Sequence, residues 1–102
     1  MEHKEAKRIL VVDDEKDTVE MISTLLELEG YKVFPAFSGV EAMRFLEGEK
    51  RGALEVETPV DLILLDVMLG DEDGRDICRK IKEDEKLKFI PVINHPPQDS
   101  SH

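Results

Sequence analysis

Two aliphatic runs of the same kind stand far apart in this chain. Ile9-Leu10-Val11-Val12 is followed at once by Asp13-Asp14, and Leu62-Ile63-Leu64-Leu65 is followed at once by Asp66. Neither run alternates with polar residues, so neither fits a strand with one wet face. Unbroken runs of this length suit strands buried on both faces, as in a parallel sheet covered by helices. Between and after them the apolar spacing changes to that of helices. Val19, Met21, Ile22, Leu25, Leu26 and Leu28 recur at helical intervals over residues 17–29, and Gly30 supplies a left-handed stop. At 3.6 residues per turn these side chains span roughly half the circumference. A helix lying only on a sheet needs a narrower stripe, so a second helix is expected beside this one.

The remaining pattern completes an alternation. Residues 31–36 predict a second strand, and Pro35 within it suits a sheet edge. Ser38 and Glu41 have the spacing of a capping box, in which the hydroxyl and the carboxylate each satisfy a backbone donor. The helix they open carries Val40, Met43, Phe45 and Leu46 and stops at Gly48. Residues 49–59 predict a long polar loop, and residues 60–66 the third strand. Met68 to Gly74 predicts an acidic turn. A third helix is expected from about residue 75 to 83, with Ile77, Cys78 and Ile81 on one face. Residues 89–93, Phe-Ile-Pro-Val-Ile, predict a fourth strand. The order β-α-β-α-β-α-β implies an α/β fold: a doubly wound, mainly parallel sheet with right-handed crossovers. Residues 1–93 form the expected domain. Residues 94–102, with two prolines and no aliphatic side chain, are expected to be an irregular, disordered tail.

Composition narrows the function classes. The formal net charge of −10 over 102 residues argues against a nucleic-acid surface, which needs Lys and Arg. One cysteine, Cys78, allows no internal disulfide and fits a reducing cytoplasm. The charged N-terminus lacks the apolar core of a signal peptide, and no apolar run reaches the length of a membrane span.

The chemistry is concentrated in the two acidic strand ends. Adjacent parallel strands would bring Asp13, Asp14 and Asp66 to one edge of the sheet, where open α/β sheets bind ligands. Three crowded carboxylates repel: two unit charges about 4 Å apart cost about 4 kcal/mol at an effective dielectric near 20. A hard dication such as Mg²⁺ relieves that repulsion and leaves room for a phosphate. The blander reading, that Asp13 and Asp14 only cap the first helix, does not account for Asp66. His95, Asp99 and His102 match no strong metal-ligand spacing, and Cys78 on an apolar helix face reads as a small core residue.

These residues resemble the receiver domain of two-component response regulators. The resemblance rests on Ile9 through Glu15, Asp61 through Met68, Asp73-Gly74, and Phe89 through Ile93. It covers about residues 7–93. It implies a flavodoxin-like receiver fold that lacks its last strand and flanking helices. It implies that Asp66 accepts a phosphoryl group and that Asp13, Asp14 and Asp66 hold Mg²⁺ with help from the Met68 carbonyl. The donor would be a sensor histidine kinase or phosphotransfer protein, and the domain would be a signalling module and not a turnover enzyme. A phosphatase using Asp66 as nucleophile is disfavoured, because such enzymes want an acid/base aspartate where Met68 stands. A second reading is a receiver that binds partners without being phosphorylated.

The chain also departs from the family pattern. Gly70 stands where a proline is usual, and Pro96 where a Thr or Ser is usual. A fifth strand ending in Lys-Pro has no counterpart. The hydroxyl and the lysine normally contact the phosphoryl group, so inefficient phosphorylation is expected. With no fifth strand, the fourth becomes a sheet edge, and the broad apolar arc of the first helix lacks a partner. Both features predict a homodimer through strand four and the first helix.

Overall fold

The computed structural model describes residues 6–48, 60–66, 68–69 and 72–95; the side chains of Met68, Glu72 and His95 are outside that description. The elements run β1 (Arg8–Val12), α1 (Lys16–Leu28), β2 (Lys32–Ala36), α2 (Gly39–Glu47), β3 (Leu62–Asp66), β4 (Met68–Leu69), β5 (Glu72–Asp73), α3 (Gly74–Glu83) and β6 (Val92–His95). Four of the strands form a parallel sheet in the order β2-β1-β3-β6. The expected parallel α/β architecture is therefore present, with the two aliphatic runs as its central pair.

Those runs are unbroken because both of their faces are covered. Leu10, Val12, Ile63 and Leu65 point into a core closed by Ala42 and Leu46 of α2 and by Ile77 and Ile81 of α3. Their neighbours Ile9, Val11, Leu62 and Leu64 point the other way, toward Val19, Ile22 and Leu26 of α1. The two-residue side-chain period of a strand divides each run between the two cores.

The register between the central strands is held by a clasp at their start. The Arg8 N–H donates to the Asp61 carboxylate at 2.8 Å, and the Asp61 N–H donates to the Arg8 carbonyl at 2.8 Å. The Arg8 guanidinium approaches the same carboxylate at 3.5 Å. The ladder then runs Ile9 with Leu62 through Val12 with Leu65.

Helix ends follow local chemistry. Gly30 has φ of 96°, a left-handed conformation that ends the turn after α1. Gly48 does the same after α2 at φ of 55°. At the start of α2 the Ser38 hydroxyl accepts from the Glu41 N–H at 3.1 Å. The Glu41 carboxylate reaches back to the N–H of Phe37 at 2.8 Å, one residue before the expected position. Val40, expected on the apolar face of this helix, is exposed. Gly39, Ala42 and Leu46 fill the buried side instead.

Two expected elements are corrected. The acidic segment 68–74 is not a plain turn. Met68 pairs with Asp73 and Leu69 with Glu72 in a small antiparallel hairpin, and Gly74 already opens α3. Leu69 is buried, so the hairpin serves as a lid on the core of α2 and α3. The fourth strand spans Val92–His95 and not residues 89–93. Asp84 is responsible: its carboxylate accepts the N–H groups of Lys86 and Leu87, and its carbonyl accepts those of Leu87 and Lys88. The turn it organises sends Leu87 and Ile90, three residues apart, into the core. Phe89 is left 79% exposed with the Lys88 ammonium over its ring. An apolar run that looked like strand is thus half turn, and Asn94 and His95, assigned to the tail by sequence, belong to β6. The expected 49–59 loop and residues 96–102 lie outside the described residues.

Deleting the Ile63 side chain to alanine removes a fully buried group from the central strand, and a loss of about 2–5 kcal/mol in denaturant-melt stability is expected. Asp61→Asn is milder. The Arg8 backbone N–H, with its guanidinium behind it, holds the Asp61 carboxyl below the usual carboxylate range. The contribution is present above the unfolded carboxyl value of about 3.9 and fades as pH falls through the lower folded value. The pair is partly solvated, so a loss of at most about 1 kcal/mol at neutral pH is expected, disappearing in acid.

Candidate functional site

Each carboxylate of the candidate site sits where a buried strand meets solvent. Val12 and Leu65 are the last pair of the β1–β3 ladder, and Asp13 and Asp66 follow them directly in the chain. The Asp13 N–H still reaches across to the Ala36 carbonyl of β2 at 3.1 Å, so β2 anchors this end of β1. Asp66 is held from the other side by its place opposite His95 in the β3–β6 ladder. Aliphatic packing below and strand pairing on both sides give the acids little freedom to separate.

Asp13, Asp14 and Asp66 each offer a carboxylate oxygen, and these oxygens lie within 4.8 Å of one another. Asp13 is 3% exposed and Asp66 7%, whereas Asp14 faces solvent. Capping does not explain the group. The N-cap of α1 is Glu15, and its side chain makes no cap hydrogen bond. Asp13 instead accepts the Glu15 N–H at 2.9 Å, which bends the chain sharply from β1 into α1. The positive end of the α1 dipole then lies beside the acids and offsets part of their repulsion.

All three expected carboxylates are brought together. The donor set is hard oxygen only, the kind Mg²⁺ and Ca²⁺ take and softer metals do not favour. Met68, the fourth residue expected here, begins β4 two positions beyond Asp66. The departures expected at Gly70 and Pro96 fall outside the described residues. Cys78 is a half-buried residue packed on the core of α2 and α3.

Two features were not expected from sequence. His95 lies opposite Asp66 in the sheet, although its position near two prolines pointed to a tail. Asp73 is the N-cap of α3 and accepts the Arg75 N–H at 2.9 Å. That bond, reinforced by the Arg75 side chain, holds the Asp73 carboxyl below the usual range. The Asp73-Gly74 pair that looked like part of an acidic turn is therefore a helix start. The signal was present in the spacing: an aspartate just before the apolar positions Ile77 and Ile81.

Comparison with known proteins gives a consistent picture. Residues 9–97 match the family model of the response regulator receiver domain. The alkaline phosphatase synthesis transcriptional regulatory protein PhoP of Bacillus subtilis is 42% identical over 87 residues, covering 85% of this chain and 32% of that protein. The regulatory protein VanRc of Enterococcus gallinarum is 36% identical over 88 residues, covering 86% of this chain and 33% of its own. This chain thus spans about a third of the length of these curated relatives. Among solved structures, the N-terminal domain of a response regulator receiver protein from Methanoculleus marisnigri aligns with a TM-score of 0.74 at 39% identity, covering 86% of this chain and 64% of that one. The phosphorylated cyanobacterial phytochrome response regulator RcpA aligns with a TM-score of 0.73 at 34% identity, covering 89% and 65%.

Crowded carboxylates destabilise the fold when nothing offsets their charge. Asp66→Asn keeps the size of the side chain and removes one charge. In chelator at low salt it is expected to raise stability by on the order of 1 kcal/mol, read as a higher melting temperature. Added salt should shrink the gain.

Proposed function

We propose that this chain, which belongs to the response regulator receiver domain family, accepts a phosphoryl group on Asp66 from a phosphohistidine of a sensor histidine kinase or phosphotransfer protein, with Mg²⁺ as cofactor. Receiver domains are signalling modules of two-component systems and not conventional turnover enzymes. The observation that carries the reading is the convergence of Asp13, Asp14 and Asp66 at the carboxyl edge of the two central strands.

The residues fit the cofactor. Three hard carboxylate oxygens within 4.8 Å of one another match the preference of Mg²⁺ for a few carboxylates, with water and phosphate completing the shell. Asp13, Asp14 and Asp66, with the Met68 carbonyl, would hold the ion. When bound it supplies positive charge against the phosphoryl oxygens.

The transfer itself belongs to Asp66. One carboxylate oxygen attacks phosphorus in line with the leaving nitrogen of the donor imidazole. A P–O bond forms as the P–N bond breaks, and the bonding pair stays on the ring nitrogen. The product is an acyl phosphate on Asp66 and a free histidine on the donor. No general base is required, because the nucleophile carries no proton to remove. The buried β3 strand and the clasp at its far end hold the nucleophile still, which is the form of catalysis phosphoryl transfer chiefly uses. With Pro96 at the usual hydroxyl position, the acyl phosphate loses one hydrogen-bond donor, and a slow, incomplete reaction is expected. Among the described residues no helix is long and apolar enough to cross a membrane.

Intact mass after incubation with acetyl phosphate or phosphoramidate tests the proposal. A gain of one phosphoryl group is expected in Mg²⁺ and little in chelator, and Asp66→Ala should abolish it. An adduct that survives Asp66→Ala places the acceptor elsewhere. No adduct under any condition favours a receiver that acts by binding alone. Mg²⁺ titration followed by NMR should shift the amides around Asp13, Asp14 and Asp66 at weak affinity, and Asp66→Asn should weaken the response. Identical titrations of both proteins would remove Asp66 from the cation site.

A further inference from the structure

α2 carries two stripes of side chains, and the core uses one of them. Gly39, Ala42 and Leu46 fill the buried side. Val40, Met43, Arg44 and Glu47 recur at i, i+3, i+4 and i+7, the spacing of a second stripe on the same helix. Together with Ile77 and Lys80 of α3, that stripe lines an open groove of about 230 Å³.

The groove has an apolar floor and a charged rim. Ile77 is buried and Met43 half-buried, whereas Val40, in the first turn of α2, is 56% exposed. Arg44 and Lys80 are exposed, and among the described residues neither has an ion-pair partner. Arg75 and Arg79 of α3, by contrast, are paired with Asp73 at 3.2 Å and Asp76 at 2.8 Å. Two unpaired cations therefore meet at one groove in a chain of net charge −10. Glu47 places a negative charge at the far end of the stripe. A groove this small and open does not enclose a small-molecule ligand. It has room for side chains that another surface presents, as when an amphipathic helix lies in a groove.

We propose that the groove between α2 and α3 docks an amphipathic helix of a partner protein. An apolar anchor sits against Val40, Met43 and Ile77. Carboxylates one turn along meet Arg44 and Lys80, and a cation beyond them meets Glu47. Spacing and charge complementarity select this occupant. A helix laid along α2 repeats its side chains at the same i, i+3, i+4, i+7 interval as the stripe beneath it. A basic helix is drawn by the net charge of −10 at long range, yet on contact it sets like charge against Arg44 and Lys80. The groove thus rejects what the chain as a whole attracts, and that repulsion is the source of its selectivity. Its lining includes none of Asp13, Asp14 and Asp66, so the surface stands independently of the phosphoryl chemistry.

The test is an NMR titration of the 102-residue chain with two capped, alanine-based helical peptides. One carries Leu, Glu, Glu and Lys at i, i+3, i+4 and i+7, and the other carries Leu, Lys, Lys and Glu at the same positions. Each is made in both sequence directions, because the groove sets the order of charges and not the polarity of the helix. The acidic peptide, in one direction, should shift the amides of Val40, Met43, Arg44, Ile77 and Lys80 at weak affinity. The basic peptide should bind at least about tenfold less well, although the net charge of the chain favours it. Arg44→Glu combined with Lys80→Glu should reverse the preference. Should that double variant fail to fold, the preference of the wild type decides alone. No shift at millimolar acidic peptide overturns the proposal. So does equal binding of the two peptides, or a preference for the basic one. Shifts of the same amides on concentrating the chain without peptide would assign the groove to a second copy, and would overturn it as well.

Discussion

The pairing of β1 with β3 is the constraint on which everything else in this molecule rests. It is a parallel pair, so both strands point the same way and end at the same level. Their interior residues are aliphatic on both faces, which leaves no polar anchor along their length. The Arg8–Asp61 clasp supplies one at the entry end. A slip of one residue would exchange the inward and outward sets of a strand. Because both faces are apolar here, burial alone penalises a slip less than in a one-sided sheet. The clasp discriminates where the core does not, and in doing so it fixes how close Asp13 and Asp66 come at the other end.

Two acids at low exposure on rigid strands are costly, and among the described residues the fold carries that cost at one place. Part of the offset comes from the N-terminus of α1, whereas Asp14 beside them adds a third negative charge, and strand pairing on both sides holds the geometry. A site built this way is preorganised for an incoming positive or electrophilic group. It spends stability that the buried aliphatic layers below it supply.

Much of this was legible in the sequence, for a definite reason. The double-faced aliphatic runs have few alternatives once their length and their terminal acids are noted, so the sheet, the order of elements and the meeting of Asp13, Asp14 and Asp66 could be read directly. The errors fall where the local signal was ambiguous. Phe89 and Ile90 are apolar in either a strand or a turn, and only the hydrogen bonds of Asp84 decide between them. Asp73 reads equally as a solvated acid or as a helix cap. His95 stands next to two prolines and yet is strand, because β3 offers it a ladder whose existence the local sequence does not reveal. Family resemblance sharpened the roles of the acids but did not bear on these boundaries.

The clasp between Arg8 and Asp61 joins residues 53 positions apart in the chain. Contacts of that separation are slow to form, since the closure entropy of a long intervening segment must be met before the contact rewards it. β1, α1, β2 and α2 can associate locally, but β1 has only one neighbour until β3 exists. During synthesis the N-terminal half therefore emerges with its most apolar strand open on one side, and it stays so until β3 has been made. Asp13 and Asp14 are present from the start, yet the acidic site comes into being only with β3, as a product of a contact that spans 53 positions of the chain.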